Sequence, residues 1–328
     1  MAAPALGLHG QMMYAAESPY GTAVAVTRGG EFEDESFKQT IQRMETTGVR
    51  TGVRFTRSDR WQAGRKDVQG SYSTEVLNKG FGLLLKHIFG AVVIAQPDAG
   101  GNPTVYDHTL TPGPLDALSL TKEFGFKDTA GNAFKKTIEG AQCKGFELGA
   151  AVGEYVMLKP EWVAEDMAVT TGVTTASYPA STTPLTFVGA SVTVAGSAFP
   201  LEAISIKGTH VLDEERYFLG SALRSQCPEI GKRDYAVTLS PEFVDWTAYN
   251  RFVNGTEAAV VATFAGAQIS GIYNYGLTIT MNVRTDGDTP EIKGTERVKQ
   301  PLMAKCIGTS DTASTAFSAV YRTTDSAS

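Results

Sequence analysis

The stretch that decides the fold is Lys66-Asp67-Val68-Gln69-Gly70-Ser71-Tyr72-Ser73-Thr74-Glu75, and a related stretch lies at Arg233-Asp234-Tyr235-Ala236-Val237-Thr238-Leu239-Ser240-Pro241-Glu242. Each predicts a strand that leads into a helix, over Val76–Phe89 in the first case and Phe243–Val253 in the second. Ser or Thr before a helix and Glu in its first turn favour helix initiation, and Gly90 and Gly255 are typical helix stops. The two units lie 167 residues apart in a chain of 328 residues, which predicts an old duplication. A chance match of a few residues is the alternative.

The first predicted helix has an apolar stripe at three- and four-residue spacings, formed by Leu77, Phe81, Leu84, Leu85 and Ile88. Such a stripe must pack on another element. Most of the remaining chain consists of strand-length segments separated by Gly, Pro, Asn and Asp turns. We therefore predict a mainly β protein of packed antiparallel sheets, a sandwich or barrel, with one flanking helix in each half.

The composition describes a folded chain with 42% hydrophobic and 20% charged residues. The net charge of −6 gives no global basic field, which argues against tight nucleic-acid binding. The three cysteines, Cys143, Cys227 and Cys306, are far apart and odd in number, and they favour buried thiols over a disulfide framework. The N-terminus has no secretory pattern, and the apolar segment 81–95 is interrupted and short, so we expect cytoplasmic synthesis and no membrane anchor.

The chain divides into four segments. Residues 1–66 are interpreted as an N-terminal arm with an extended polar loop or hairpin, and 67–169 as the first folded half. Residues 170–184, rich in Thr, Ser, Ala and Pro and almost uncharged, are interpreted as a linker to a second half at 185–328.

The arm carries two clusters of opposite charge. An acidic run at 31–35 is followed by a basic, polar stretch at 38–66, in which residues 46–57 alternate β-prone residues with Arg. This pattern predicts a long exposed hairpin held by an acidic surface of a neighbouring molecule, and a solvated loop is the alternative. The residues predicted at this assembly interface are Glu31, Glu33, Asp34, Glu35, Arg43, Arg50, Arg54, Arg57, Arg60 and Trp61.

No motif with a defined mechanism is found. Phosphate-binding, dinucleotide-binding, zinc-protease and nucleophile-elbow patterns are all missing from the sequence. The histidines stand singly, and the acidic group Asp213, Glu214 and Glu215 is best interpreted as a turn between strands. We therefore predict no catalytic residues, no cofactor and no metal.

The arrangement resembles the tail tube (major tail) proteins of long-tailed, non-contractile bacteriophages over most of the chain. The resemblance is carried by the segments Gly70–Glu75 with the apolar helix to Gly90, Ala141–Leu148, Tyr217–Ser221 and Asp234–Phe243. It implies packed β-sheets with flanking helices, sheet pairing between subunits that closes a hollow ring, and rings stacked through an extended arm. The implied location is the virion tail, after assembly in the host cytoplasm.

The resemblance also implies partners. The chain would assemble with itself, contact tape measure and tail terminator or tip proteins, and let DNA pass through the lumen without specific binding. If both halves carry the tube fold, three chains form a pseudo-sixfold ring, which we favour; if one half carries it, six chains are needed.

Two other classes remain open at this stage. One is a different β-rich virion component, such as a minor tail or capsid decoration protein. The other is a carbohydrate-binding or hydrolytic β-protein, which is less favoured because Trp61, Trp162 and Trp246 are dispersed along the chain.

Overall fold

The computed structural model describes residues 3–287, 289–290, 292, 294–295, 297–308 and 316–328. Within these residues the fold is mainly antiparallel β, as predicted, with one helix in each half, α1 (Gly82–Phe89) and α2 (Thr247–Val253). The strands are β1 (Ala5–Ala16), β2 (Arg28–Gly30), β3 (Asp34–Glu35), β4 (Lys38–Glu45), β5 (Trp61–Glu75), β6 (Gly90–Ala95), β7 (Tyr106–Pro112), β8 (Leu120–Asp128), β9 (Ala133–Ala151), β10 (Met157–Ala164), β11 (Asp166–Thr171), β12 (Ala190–Val194), β13 (Ser197–Ala198), β14 (Ala203–Thr209), β15 (Asp234–Leu239), β16 (Glu257–Ser270), β17 (Tyr273–Gly287), β18 (Leu302–Cys306) and β19 (Phe317–Thr323).

One continuous sheet crosses both halves, and we call it the main sheet. Its strands follow the order β4-β5-β10-β9-β14-β15-β18-β17, all antiparallel. The two halves meet where β9 of the first half pairs with β14 of the second. Two further sheet layers, β2-β1-β8-β9-β11 and β13-β12-β16-β17-β19-β7-β6, share the long strands β9 and β17 with the main sheet.

The same pairing scheme occurs in both halves. In the first, β4, β5, β10 and β9 pair in that order, and in the second β14, β15, β18 and β17 do the same. β8 pairs with β9 as β16 pairs with β17, and β11 returns to β9 as β19 returns to β17. Each helix follows the second strand of its set, β5 or β15, and the first half has an additional hairpin, β6–β7.

The predicted start of the first helix is wrong. α1 begins at Gly82 rather than Val76, and Ser73, Thr74 and Glu75 belong to β5. The reason is tertiary: Glu75 pairs with Met157 in β10, and the Asn78 amide donates to the Thr183 carbonyl (3.0 Å). These distant partners hold the chain extended where local propensity favours a helix. The predicted stop is confirmed, because Gly90 has φ +107 and follows the helix directly.

The second helix also starts later than predicted, at Thr247 rather than Phe243. Glu242 forms an isolated antiparallel bridge with Lys299, which keeps Ser240–Glu242 out of the helix. Asp245, just before the N-cap residue Trp246, accepts the Thr247 N–H with its carboxylate at 2.7 Å and so satisfies one free N–H of the first turn. The helix ends at Val253, two residues before Gly255, whose φ is +60.

The segment predicted as a linker, 170–184, packs on the first half. Thr174 donates its N–H to the Glu123 carboxylate (2.7 Å), and Ser177 accepts the Gly29 N–H (2.7 Å). At the predicted arm boundary, β5 runs without interruption from Trp61 to Glu75. The arm is therefore continuous with the main sheet.

Both halves contribute to a common hydrophobic core, and an aromatic cluster lies at their joint. The Phe89 ring, at the end of α1, stacks on Phe317 (centroids 5.0 Å apart) and meets the edge of Phe146 (5.1 Å). Tyr235 packs edge-on against Phe146 and Phe317 (5.4 and 5.0 Å). Phe89 and Phe146 come from the first half and Tyr235 and Phe317 from the second, so the cluster joins the halves.

Replacing Phe89 tests this joint. Phe89 is 2% exposed, and Phe89→Ala is expected to lower the free energy of unfolding by about 4 kcal/mol, since it removes a buried ring and leaves a cavity. Urea unfolding followed by circular dichroism measures the change. Phe55→Ala, at a residue 88% exposed, is the control and should change stability by less than about 0.5 kcal/mol. Equal effects of the two substitutions would contradict a packed joint.

Candidate assembly surfaces

The basic members of the predicted interface, together with Trp61, lie on a long hairpin built from β4 and β5. The strands pair from Lys38↔Gln69 to Glu45↔Trp61, and residues 46–60 form the tip. The Thr46 N–H donates to the Arg60 carbonyl (3.2 Å), which closes the tip. From here on, the arm means this hairpin, residues 38–69, and the acidic base means the neighbouring residues 31–35 together with Glu75.

The arm is exposed, as predicted. From Gln42 to Ala63 every residue is exposed except Arg57, which is half-buried and paired with Asp59 (2.5 Å). The Arg43 guanidinium lies over the Trp61 ring, 4.5 Å from its centroid, and this contact stiffens the arm below the tip. Arg50, Arg54 and Arg60 are exposed.

Residues 46–57 form the turn region at the tip of the predicted hairpin, and strand pairing resumes at Trp61. Sequence reasoning missed two apolar side chains at the tip, Val49 (98% exposed) and Phe55 (88% exposed). Their signal was present, because exposed large apolar residues among arginines are typical of a contact surface.

The acidic residues lie at the base of the arm, where β3 pairs with β5 through Asp34↔Ser73 and Glu35↔Tyr72. Glu35 forms an ion pair with Lys136, and Asp34 accepts the Ser73 N–H (3.0 Å), so both are engaged within the chain. Glu31 and Glu33 are exposed. Burial first, and then the charges of Glu33 and Glu31, raise the pKa of Glu75, which indicates a concentrated negative field at the base.

The two charge clusters are separated along the arm. From Ser73, beside the acidic base, to Trp61, below the tip, β5 extends about 40 Å. The basic, partly apolar tip of the arm and the acidic base therefore do not contact each other within one chain.

A second candidate surface is the polar face of the main sheet. In β15, Tyr235, Val237 and Leu239 point into the core, so Asp234, Ala236 and Thr238 lie on the opposite face. Charges of both signs alternate across that face, and neighbours pair: Lys207 with Glu147 (3.3 Å) and Lys305 with Asp234 (2.9 Å).

Two of the three buried histidines, His210 and His87, bond groups of the protein core. His210 bonds the Cys143 carbonyl (3.0 Å) and the Tyr235 hydroxyl (2.9 Å), and His87 bonds the Leu83 carbonyl (2.9 Å). Burial is the main cause that lowers the pKa of each imidazole to about 4. Both side chains are therefore neutral parts of the core at pH 7.

An acidic group gathers near Glu17, together with Glu139, Glu165 and Asp166. Burial, followed by the charge of Glu17, raises the pKa of Glu165 to about 7. Glu17 accepts the Thr121 hydroxyl (2.9 Å) and the Gly140 N–H (2.9 Å), which fixes β1 to β8 and β9. At the predicted turn, Glu214 and Glu215 form ion pairs with Lys144 and Arg65. These carboxylates hold loops and strands together.

Across the described part of the chain, no group of three or more His, Cys, Asp or Glu side chains is placed to hold a metal ion. Neither described helix has the length and apolar character needed to cross a membrane.

Comparison with known proteins gives one family. A family model described as phage tail tube protein matches residues 7–319, nearly the whole chain. No curated protein matches this sequence.

Proposed function

The chain belongs to the phage tail tube protein family, and on this premise we propose that three copies close a ring around a channel and that rings stack through the arm. The protein is a structural component of the virion tail, and its copies assemble into the tail tube. The stoichiometry, the channel face and the stacking contact are the new parts of this proposal.

The observation that carries the ring of three is the repeated strand order of the main sheet. Four strands of the first half and four of the second occur in the same order, which supports two equivalent modules that arose by duplication. Since the modules join through β9 and β14 inside one chain, further copies can extend the sheet in the same way. Three chains then give six modules, and the ring has pseudo-sixfold symmetry.

The polar face of the main sheet lines the channel in this proposal. Its opposite face packs on the other sheet layers, so only the polar face is free to meet solvent in a closed ring. Lysines on this face are interleaved with acids, as in the pairs Lys207–Glu147 and Lys305–Asp234. Without a continuous basic stripe, DNA phosphates gain little from counterion release, and DNA passes without being held.

Stacking brings the tip of the arm of one ring against the acidic base of the next ring. The tip of one ring, with Arg50, Arg54 and the apolar Phe55, meets the acidic base of the next ring, with Glu31, Glu33 and Glu75. Charge complementarity of this kind fixes register and speeds association. Tape measure and terminator or tip proteins are the further partners that we propose, at the channel and the tube ends. The role is mechanical, and the proposal includes no catalytic step.

Electron microscopy of the purified protein at increasing concentration tests the ring. We expect hollow end-on views with threefold symmetry and a ring mass equal to three chains of 35.0 kDa. Rings of six chains with true sixfold symmetry would overturn the proposed stoichiometry, and particles that never form rings or tubes would overturn the assembly itself.

A further inference from the structure

A partly exposed aromatic row, which we call the aromatic row of α2, runs from the segment just before α2 into the helix. Phe243, Trp246, Tyr249 and Phe252 stand three residues apart, and successive rings pack edge-on with centroids 5.1, 5.4 and 6.4 Å apart. None of the residues of α2 is buried, and Trp246 and Phe252 are 52% and 38% exposed. Val244 and Val253, beside the row, are 82% and 60% exposed. An apolar patch of this kind is costly in water and is typical of a protein contact.

The equivalent helix of the first half is covered. α1 buries seven of its eight residues. It packs on β6, β7 and β9 of its own half, and its last ring, Phe89, stacks on Phe317 of the second half. The guanidinium of Arg233, just before β15, donates to the Phe89 carbonyl at 2.8 Å. The joint between the two halves, β9 with β14, therefore has a helix beside it, and residues of the following half contact the C-terminal end of that helix.

α2 stands in the corresponding place at the end of the main sheet. It contacts β17, the strand equivalent to β9. Pairing of β17 with β16 ends at Arg284↔Glu257, and beyond it Thr285–Gly287 pair with β18 on one side, with no described strand on the other. At the opposite end of the main sheet, β4 pairs with β5 alone among the described strands. One chain thus ends in two edges at the positions that β9 and β14 occupy in the internal joint: Thr285–Gly287 of β17, and the outer edge of β4.

We propose that the aromatic row of α2 packs at the contact between neighbouring copies of this chain. The surface that covers the row is the first half of a second copy, which brings its β4 edge beside β17. The inference rests on the proposed ring and specifies its contact. A second copy is the occupant that the structure favours, because within one chain the following half already packs Phe317 and Arg233 on Phe89, at the end of the equivalent helix. In a closed ring the last copy contacts the first in the same way, so each chain forms this contact once with the following chain.

The test combines a variant with a spectroscopic reading of the intact row. Trp246→Ala with Phe252→Ala removes the centre and end of the row, and we expect the concentration needed for ring formation to rise about tenfold or more, as for central aromatic contacts. Ile272→Ala, at a residue 88% exposed in the turn between β16 and β17, is the matched control and should assemble as the wild type does. Sedimentation velocity and electron microscopy measure assembly, and circular dichroism reports folding.

The second measurement keeps the row unchanged. In Trp61→Phe the fluorescent tryptophans are Trp162, which is fully buried, and Trp246, so an emission shift to the blue during ring formation reports burial of Trp246. Rings that form at the wild-type concentration in the double variant, or with no emission shift in Trp61→Phe, would overturn the joint and leave the tube function standing. Failure of the wild type to form rings would overturn the proposed assembly and this joint together.

Discussion

Shortening the arm is expected to give a folded protein that forms rings and no longer stacks them into tubes. The change removes residues Thr46–Arg60 and joins Glu45 to Trp61 by an Asn-Gly turn, which is possible because these two residues are directly paired. Residues 46–60 are exposed apart from the half-buried Arg57, so stability should change by about 0.5 kcal/mol or less. Tube formation should be lost entirely, as measured by pelleting and electron microscopy.

A charge exchange tests the same stacking contact without a deletion. Arg50→Glu with Arg54→Glu should weaken stacking by placing acids opposite the acidic base, and it leaves the backbone of the arm unchanged. Adding Glu31→Lys and Glu33→Lys to that variant should restore part of the stacking, most clearly at low salt, because exposed charges are screened at high salt. Tubes of normal length from the shortened arm would rule the arm out as the stacking element.

The strands of this fold follow from local sequence more reliably than its helix starts. Val237 and Leu239 alternate with polar residues in β15, and that pattern predicts a half-buried strand correctly. The helix starts failed because partners distant in sequence decide them. Thr323 donates its hydroxyl to the Asn78 carbonyl (2.9 Å), a contact across most of the chain that keeps residues before α1 out of the helix.

The candidate surfaces also combine features that follow from local sequence with features that depend on distant partners. The exposure of the arm was predictable, since the arginines within residues 46–57 make both faces of this segment too polar to be buried in the protein's own core. The engagement of Glu35 with Lys136 was not predictable, because the two residues lie 101 positions apart and meet only when β3 and β9 have packed together in the fold. The uncovered state of α2 was equally hidden, since its aromatic spacing is the same as that of a core helix.

Lys122 is expected to make the stability of the protein depend strongly on pH between 6 and 10. Its side chain is fully buried, with the ammonium 3.7 Å from the Trp162 ring centroid and 4.8 Å from that of Tyr72, whose hydroxyl accepts its hydrogen bond (3.3 Å). Desolvation by burial lowers the pKa of Lys122 from 10.5 to about 7, and the nearby Cys143 opposes the shift. The aromatic rings stabilise the cation less than water does.

The sign of the dependence follows from proton uptake on unfolding. Between pH 7 and 10.5 the folded protein holds a neutral amine and the unfolded chain holds an ammonium, so unfolding takes up a proton and stability rises with pH. Lys122→Met keeps a similar volume without the charge. Relative to this variant, the free energy of unfolding of the wild type should rise by about 4 kcal/mol from pH 6 to pH 10. Cys143 titrates in both proteins, so its contribution largely cancels in this difference.

Urea unfolding at each pH measures the difference in free energy of unfolding. Lys127→Met, at an exposed position on the same strand, is the control and should follow the wild type. If the difference between wild type and Lys122→Met stays constant over this range, Lys122 is charged in the fold at all these pH values, and its burial among the rings does not displace its proton.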